Sequence, residues 1–513
     1  MVKITSVKKF LFLLVALLLC ATVVFAACDN GNFVPLKDKP SGQTPEGNGG
    51  IAVVYGDWLY YINGYTSDSS VDNTYSNDVV NTPRIGSVVR IKLASLEALF
   101  ELSEAELDDD DEYDTVTAKV AAAVRGDIEG IDGAETVVPR IYISDNSSET
   151  RITGLYIFDD RIYITTPNDQ LTAGGNTRTD ELVLMSYDLN GANETRHFNF
   201  GVKNAQIWMG KVDGKVVATF VKESKLYHLD VATGEDTLIE LNDADEYELE
   251  KINDVSGENW DLSDDGQCIF FINAVGEICK LPLGSKEYEV VVENEIKNVG
   301  DESIETTYKH SIKGVNNGQV YYTKAEEDGV DSNGSVLYWI DSTASEPEAQ
   351  VALNSSSHSD AIAWKDGMVV YADNSPSGSY HGLKITWGKA SENEKKVVLP
   401  YEDYEETISV SRIVGDTLYY TVEGVSYTLN LQKAYDLAPD FEGDREEELQ
   451  IVAYAANPST TGWAAPDYVN VQTDDGVIHY VITMASSSVT VVKFDPEEKK
   501  NSEKSVVLTL KAA

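Results

Sequence analysis

The residues that could carry out chemistry are few and do not assemble into motifs. Six histidines are present, His197, His228, His310, His358, His381 and His479. No two stand in the His-Glu-x-x-His arrangement that places both imidazoles on one helix face around zinc, and there is no Cys-x-x-Cys. No Gly-x-Ser-x-Gly elbow presents a serine nucleophile. With 86 Asp and Glu residues, a pair of glycosidase carboxylates can be neither singled out nor excluded. Asp331-Ser332-Asn333-Gly334 begins as an oxygen-ligand loop for calcium does, but Val336 and Leu337 stand where later ligands belong, so it reads as a turn. The run Asp108 to Asp111 reads as a solvated charge cluster. No catalytic residue, metal ligand or cofactor is expected.

Cysteine and tryptophan leave narrower choices. Of four cysteines, Cys20 and Cys28 lie at the N-terminus and Cys268 and Cys279 in the body. The latter two fall on adjacent strands of one hairpin, where they either form a single cross-strand disulfide or stay as buried thiols. Trp208, Trp260, Trp364 and Trp463 lie in or just upstream of the first strand of their repeat units. They either form an aromatic rim for stacking sugars or peptides, with Trp208, Trp260 and Trp364 facing the ligand, or pack between units.

The elements that must position these residues recur. A turn pair precedes an apolar or aromatic run eight times: Gly56-Asp57, Asp159-Asp160, Asp213-Gly214, Asp265-Gly266, Asn317-Gly318, Asp366-Gly367, Gly415-Asp416 and Asp475-Gly476. From the second copy onward the spacing is about 50 residues, the period of repeat architectures. Each run is preceded by a short one, such as AQIW before Gly210, and followed by another, such as the run from Val88 or from Ser335. Where the pattern is clearest, from Leu226, a further turn leads to one more run. Four short antiparallel strands per unit is the pattern of a β-propeller blade. Runs such as Leu59-Tyr60-Tyr61-Ile62 are apolar on both faces, which suits a sheet stacked between two neighbours rather than one with a wet side. The expected fold is therefore all-β: a single propeller of seven or eight four-stranded blades, eight favoured, over residues 51–513. A solenoid or paired sandwiches are the alternative. The first interval is longer and holds an Ala- and Glu-rich stretch, predicted helical, over about residues 96–135. It reads as an insertion on the first blade that caps the ring, receives a partner or is plain decoration.

The N-terminus reads as an export signal. Lys3, Lys8 and Lys9 precede an apolar stretch from Phe10 to Val24, about 15 residues, short of the roughly 20 that a membrane span requires. Phe25-Ala26-Ala27-Cys28 follows and resembles the bacterial lipobox, with Phe25 where that pattern usually has Leu. The resemblance implies that residues 1–27 are a lipoprotein signal peptide and that Cys28 receives a diacylglycerol and becomes the N-terminus. Two acyl chains would hold the protein stably on a bilayer. Cleavage after Ala26, releasing a soluble protein, and an uncleaved anchor are the alternatives. Residues 28–50 are polar and rich in Gly and Pro and read as a flexible tether. The expected location is the cell surface, on the extracytoplasmic side.

The formal net charge is −46. A surface so acidic repels phosphate backbones and anionic headgroups, which argues against nucleic-acid binding and leaves the membrane to be reached through the lipid alone. Its ordinary consequence is solubility, and a monomer is expected.

The units resemble those of bacterial surface lipoproteins of unknown function whose propellers share a Gly-Asp-aromatic-apolar-Tyr-Tyr pattern, seen here as GDWLYYIN and GDTLYYT. They are similar to TolB-like and YWTD-like repeats. The segment Asn259 to Phe271 is also similar to prolyl-oligopeptidase propellers, which carry Ser-Pro-Asp-Gly where this chain has Ser263-Asp264-Asp265-Gly266. The same four residues approach the sialidase Asp-box but lack one residue between Asp and Gly, and read as a hairpin turn. The resemblance specifies a fold and implies a binding or scaffolding role, with a protein or glycan held at the loops. A carbohydrate-active or other hydrolytic enzyme is the alternative, as is a structural part of an envelope assembly.

Overall fold

The computed structural model describes residues 36–37, 50–64, 87–104, 113–138, 154–167, 181–202, 205–241, 250–263, 267–299, 304–316, 318–326, 336–354, 361–374, 382–387, 394–400, 407–414, 416–422, 425–437, 445–449, 452–454, 467–473, 476–485, 488–495 and 500–510. The leader with Cys28, the acidic runs at 108–111 and 331–334, the 264–266 turn and Trp463 lie outside these residues.

Eight four-stranded antiparallel sheets follow one another along the chain, each with its strands in sequence order. They are the blades of an eight-bladed β-propeller, at residues 52–138, 156–199, 206–238, 255–292, 308–354, 362–400, 408–454 and 467–507. All eight runs expected from the turn pairs are second strands, among them Trp58–Ile62, Cys268–Asn273 and Thr417–Val422. Several turn pairs adopt the conformation that the sequence called for. Asp213 and Gly214 have φ of 50° and 78°, and Asp366 and Gly367 have 51° and 75°, the two positive values of a hairpin turn matched to strand twist. One additional two-stranded hairpin, Ile296–Val299 with Ile304–Thr306, links blades 4 and 5.

No sheet buries its faces alone. Apolar clusters bridge blades 2 and 3, 3 and 4, 4 and 5, 5 and 6, and 6 and 7 in turn. The largest joins blade 8 to blades 1 and 2, and the fourth strand of blade 7 lies against the fourth strand of blade 8, so the ring has no free end. Each blade is a contiguous stretch of chain, and closure comes from packing and side-chain hydrogen bonds rather than an exchanged strand. The Tyr61 hydroxyl donates to the Leu508 carbonyl at 2.8 Å across a gap of 447 residues.

The helical insertion is part of that closure. It forms α1 (Leu93–Glu104) and α2 (Tyr113–Val124), which bury Leu96, Leu99, Phe100, Val120, Ala123 and Val124 in the cluster shared by blades 8, 1 and 2. Phe100 stacks on Tyr480 of blade 8 at 6.0 Å, and Lys493 of blade 8 reaches Glu97 at 2.6 Å. The insertion is thus a clamp over the joint where the ring closes, not decoration.

The acids of the turn pairs have a second role. Asp160 accepts from the Tyr55 hydroxyl of blade 1. Asp366 accepts from Gln319 of blade 5 at 3.2 Å, and its own N–H donates back to Gln319 at 2.7 Å. Asp416 accepts from Trp364 Nε1 and Lys365 Nζ of blade 6 at 3.0 and 3.1 Å. In each case the preceding blade is fastened to the turn of the next.

Antiparallel order fixes two faces of the ring. Turns between first and second strands, and connections between third and fourth, emerge on one face, here called the upper; α1 and α2 are on it. Second-to-third connections and links between blades emerge on the lower face. Adjacent first strands run the same way. Gly50 bridges Leu155 where those of blades 1 and 2 start, and Tyr55 reaches Asp160 where they end.

Leu36 departs from the free tether expected over residues 28–50. Its N–H donates to the Asn190 carbonyl at 2.9 Å, and the Asn190 amide donates to the Leu36 carbonyl at 2.8 Å. Its side chain packs against the core of blades 8, 1 and 2.

Candidate functional site

The tryptophans expected to face a ligand are structural. Trp364 is fully buried between blades 6 and 7, with its indole N–H on Asp416. Trp208, 8% exposed, meets half-buried Trp260 edge-on at 4.2 Å in the wall between blades 3 and 4. The bulky rings pack between neighbouring blades, which is the packing alternative posed by the sequence.

Cys268 and Cys279 are both thiols, not joined by a disulfide. Cys268 is paired with Pro282 and Cys279 with Phe271, so the two are three positions out of register. An odd offset sends their side chains to opposite faces of the sheet, where no disulfide can join them. Burial pushes the Cys279 thiol well above its ordinary value and keeps it protonated.

Blade 2 holds a hydrogen-bond network with the outline of a nucleophilic dyad. Ser186 Oγ lies 2.6 Å from His197 Nε2, and His197 Nδ1 lies 2.9 Å from the Val231 carbonyl of blade 3. Arg161 donates to Ser186 Oγ from Nε and Nη2 at 3.1 and 2.8 Å and pairs with Asp188 at 2.7 Å. Burial lowers the His197 pKa, opposed by the Val231 bond and aided by Arg161. The neutral ring then accepts from the serine and donates to Val231. Ser186 has no exposed surface, so no carbonyl can reach it. The network ties blade 2 to blade 3.

The group best suited to a ligand lies at the lower face, where blades 4 and 5 meet. It comes from the start of the first strand of blade 5 (Tyr308–Asn316), the second strand (Gln319–Glu326) and the start of the third (Val336–Asp341). Pairing of His310 with Lys324, and of Tyr322 with Tyr338, brings Tyr308, His310, Tyr322, Lys324 and Tyr338 onto one side of the sheet. Nearer the middle of the blade, that side is apolar and packs on blade 4. At this end it is aromatic, and it carries a charge.

The Lys324 ammonium sits 4.9 Å from the Tyr308 ring centroid and 4.8 Å from that of Tyr338, inside the range of cation–π attraction for both. All three side chains are half-buried. Among the described residues, Lys324 has no carboxylate within ion-pair distance, although the chain has more than twice as many acids as bases. His310 stands edge-on to Tyr322 at 5.6 Å, with Nδ1 2.6 Å from the Gly276 carbonyl of blade 4. Burial, reinforced by Lys324, lowers its pKa and favours the neutral ring. Burial pushes the Tyr322 hydroxyl up to about 12.

The support beneath this group is specific. The Asn294 amide donates to the Tyr308 carbonyl at 2.7 Å and to the Val275 carbonyl at 3.2 Å, and Thr306 Oγ1 donates to the Tyr308 carbonyl at 3.1 Å. Gly276 has φ of 77°, and a Cβ there would fall 2.5 Å from the Asn294 amide nitrogen that holds the Tyr308 carbonyl. The linking hairpin and the blade 4 turn therefore hold Tyr308 in place. The arrangement offers aromatic surface for C–H groups and one ammonium for an acceptor, which suits binding. Among the described residues no three His, Cys, Asp or Glu side chains converge as a metal site. The sequence reading missed this group because its members meet only through strand register. Its one signal is the two-residue spacing of Tyr308 with His310 and of Tyr322 with Lys324.

No protein-family model and no curated protein matches the sequence. Among solved structures, an oligogalacturonate lyase in complex with manganese is similar over 69% of this chain and 85% of its own, at 12% identity and a TM-score of 0.34. BamB from Moraxella catarrhalis is similar over 67% and 83%, at 15% identity and a TM-score of 0.29. TolB from Acinetobacter baumannii is similar over 55% and 64%, at 18% identity and a TM-score of 0.22. No activity or site residue is carried over from them.

Proposed function

We propose that this chain is a lipid-anchored extracytoplasmic β-propeller that binds a protein or glycan partner and does no chemistry of its own. The observation that carries the binding role is the half-buried Tyr308–Lys324–Tyr338 group at the lower face, with an ammonium unpaired among the described residues. Tyrosine rings give contact area at low entropic cost, and the ammonium adds a directional donor. Anchoring is supported by the leader and by the lipobox-like Phe25-Ala26-Ala27-Cys28.

The test pairs capture with mutation. Mature protein is used to retain partners from its native envelope and is screened against a glycan array, beside a Tyr308→Ala/Tyr338→Ala variant. Loss of each ring's contact lowers retention about tenfold or more. Unchanged retention by the variant would place binding elsewhere.

A further inference from the structure

We infer that the upper face of the ring is turned toward the membrane and the lower face, with its aromatic–lysine group, away from it. The inference rests on the proposed acylation of Cys28.

Its basis is where the chain is fastened. Leu36 is clipped to Asn190 by two hydrogen bonds, and its side chain packs against the core. Asn190 belongs to the connection between the third and fourth strands of blade 2 (Leu182–Asp188 and Thr195–Asn199), and so to the upper face. This connection is itself held from blade 1: the Leu189 carbonyl accepts from the Tyr60 hydroxyl at 3.0 Å. The chain thus leaves a fixed point on the upper rim. Between Cys28 and Leu36 there are eight residue steps, which span at most about 28 Å when fully extended. Without the clip, the next fastening among the described residues is Gly50, which bridges Leu155 at the lower face. A tether free back to residue 50 would be nearly three times as long and would leave from the opposite side. The clip therefore decides which face lies near the acyl chains. The net charge of −46 gives the chain as a whole no attraction to anionic lipid, and the tether is what distinguishes the two faces.

Two positions in blade 3 test this, because they differ in face but not in blade. Ala232 is exposed on the upper face and Glu223 on the lower, at opposite ends of the strand Lys225–Asp230. That strand separates them by about 20 Å. Full-length acylated protein with Cys268→Ser is labelled at Ala232→Cys or Glu223→Cys and reconstituted in vesicles that carry an acceptor at the lipid surface. Energy transfer several-fold stronger from position 232 supports the inference; equal transfer, or stronger transfer from 223, overturns it. With Leu36→Pro and Asn190→Ala added, which remove both hydrogen bonds and the leucine side chain, the difference shrinks; if it persists in full, the clip does not set the orientation. The mass of the mature N-terminus is read on the same sample. An unacylated Cys28 sinks the anchoring proposal itself, whereas an acylated chain with the reversed pattern sinks only the orientation.

Discussion

The side-chain amide of Asn63 is hydrogen-bonded in both directions to the backbone of Leu510. Its Nδ2 donates to the Leu510 carbonyl at 2.8 Å, and its Oδ1 accepts from the Leu510 N–H at 2.9 Å. Asn63 is fully buried and Leu510 is 4% exposed, so water cannot replace either bond. One side chain from blade 1 thus does for the end of the chain what a partner strand would do. Asn63→Ala leaves a buried donor and acceptor unpaired at the joint, at a cost of about 2–4 kcal/mol. Urea titration should show a lower midpoint. Hydrogen exchange should quicken at residues 500–510 before it changes in blades 4 and 5.

The clamp helices make a related prediction. Phe100→Ala removes a buried ring that α1 lays on Tyr480, at a cost of about 3–5 kcal/mol. If the insertion were decoration, exchange in blade 8 would be unaffected. A rise confined to blades 8, 1 and 2 is the expected outcome.

Gly367 tests the fastening of blade 6. Its φ of 75° disfavours any side chain, and an added Cβ would fall within 2.9 Å of Trp339 ring atoms in blade 5. Gly367→Ala should destabilise the protein by at least about 2 kcal/mol. Trp339→Ala in the same chain should relieve the clash but not the backbone strain. A double-mutant cycle in thermal unfolding would therefore show less than additive loss.

Acid should weaken the ring before its carboxylates protonate. Burial lowers the pKa of His197, His228 and His310 in the folded protein. Below the ordinary value of about 6.5, the unfolded chain takes up protons that the folded chain refuses, so stability falls. It is fully present above that value and declines as the pH drops toward the folded values. Protonated His197 would aim an N–H at Ser186 Oγ, which already accepts two from Arg161. The melting temperature, followed from pH 7.5 to 5, should decrease, and His197→Asn should reduce the slope.

The repeat was legible because propeller blades reuse one pattern, a two-residue turn before an apolar strand. Eight turns read from residue types became eight second strands. What stayed hidden depends on contacts between units. The acid of Asp366-Gly367 reads as turn chemistry, but its bonds to Gln319 require knowing that blade 5 precedes it in space as well as in sequence. The same limit applied to Cys268 and Cys279, where adjacency of strands was legible but the offset between them was not. Trp208 and Trp364 look alike as surface platforms or buried wedges until a neighbour covers them. Tyr308 and Lys324 carry no motif at all.

Because every blade is drawn from its own stretch of chain, the joint between first and last is set by the order of the blades along it. While the chain is being made, seven wedges form an open arc whose two raw flanks stay wet until the final segment arrives. The half-made protein, rather than the finished ring, is the species most exposed to proteases and to its own copies.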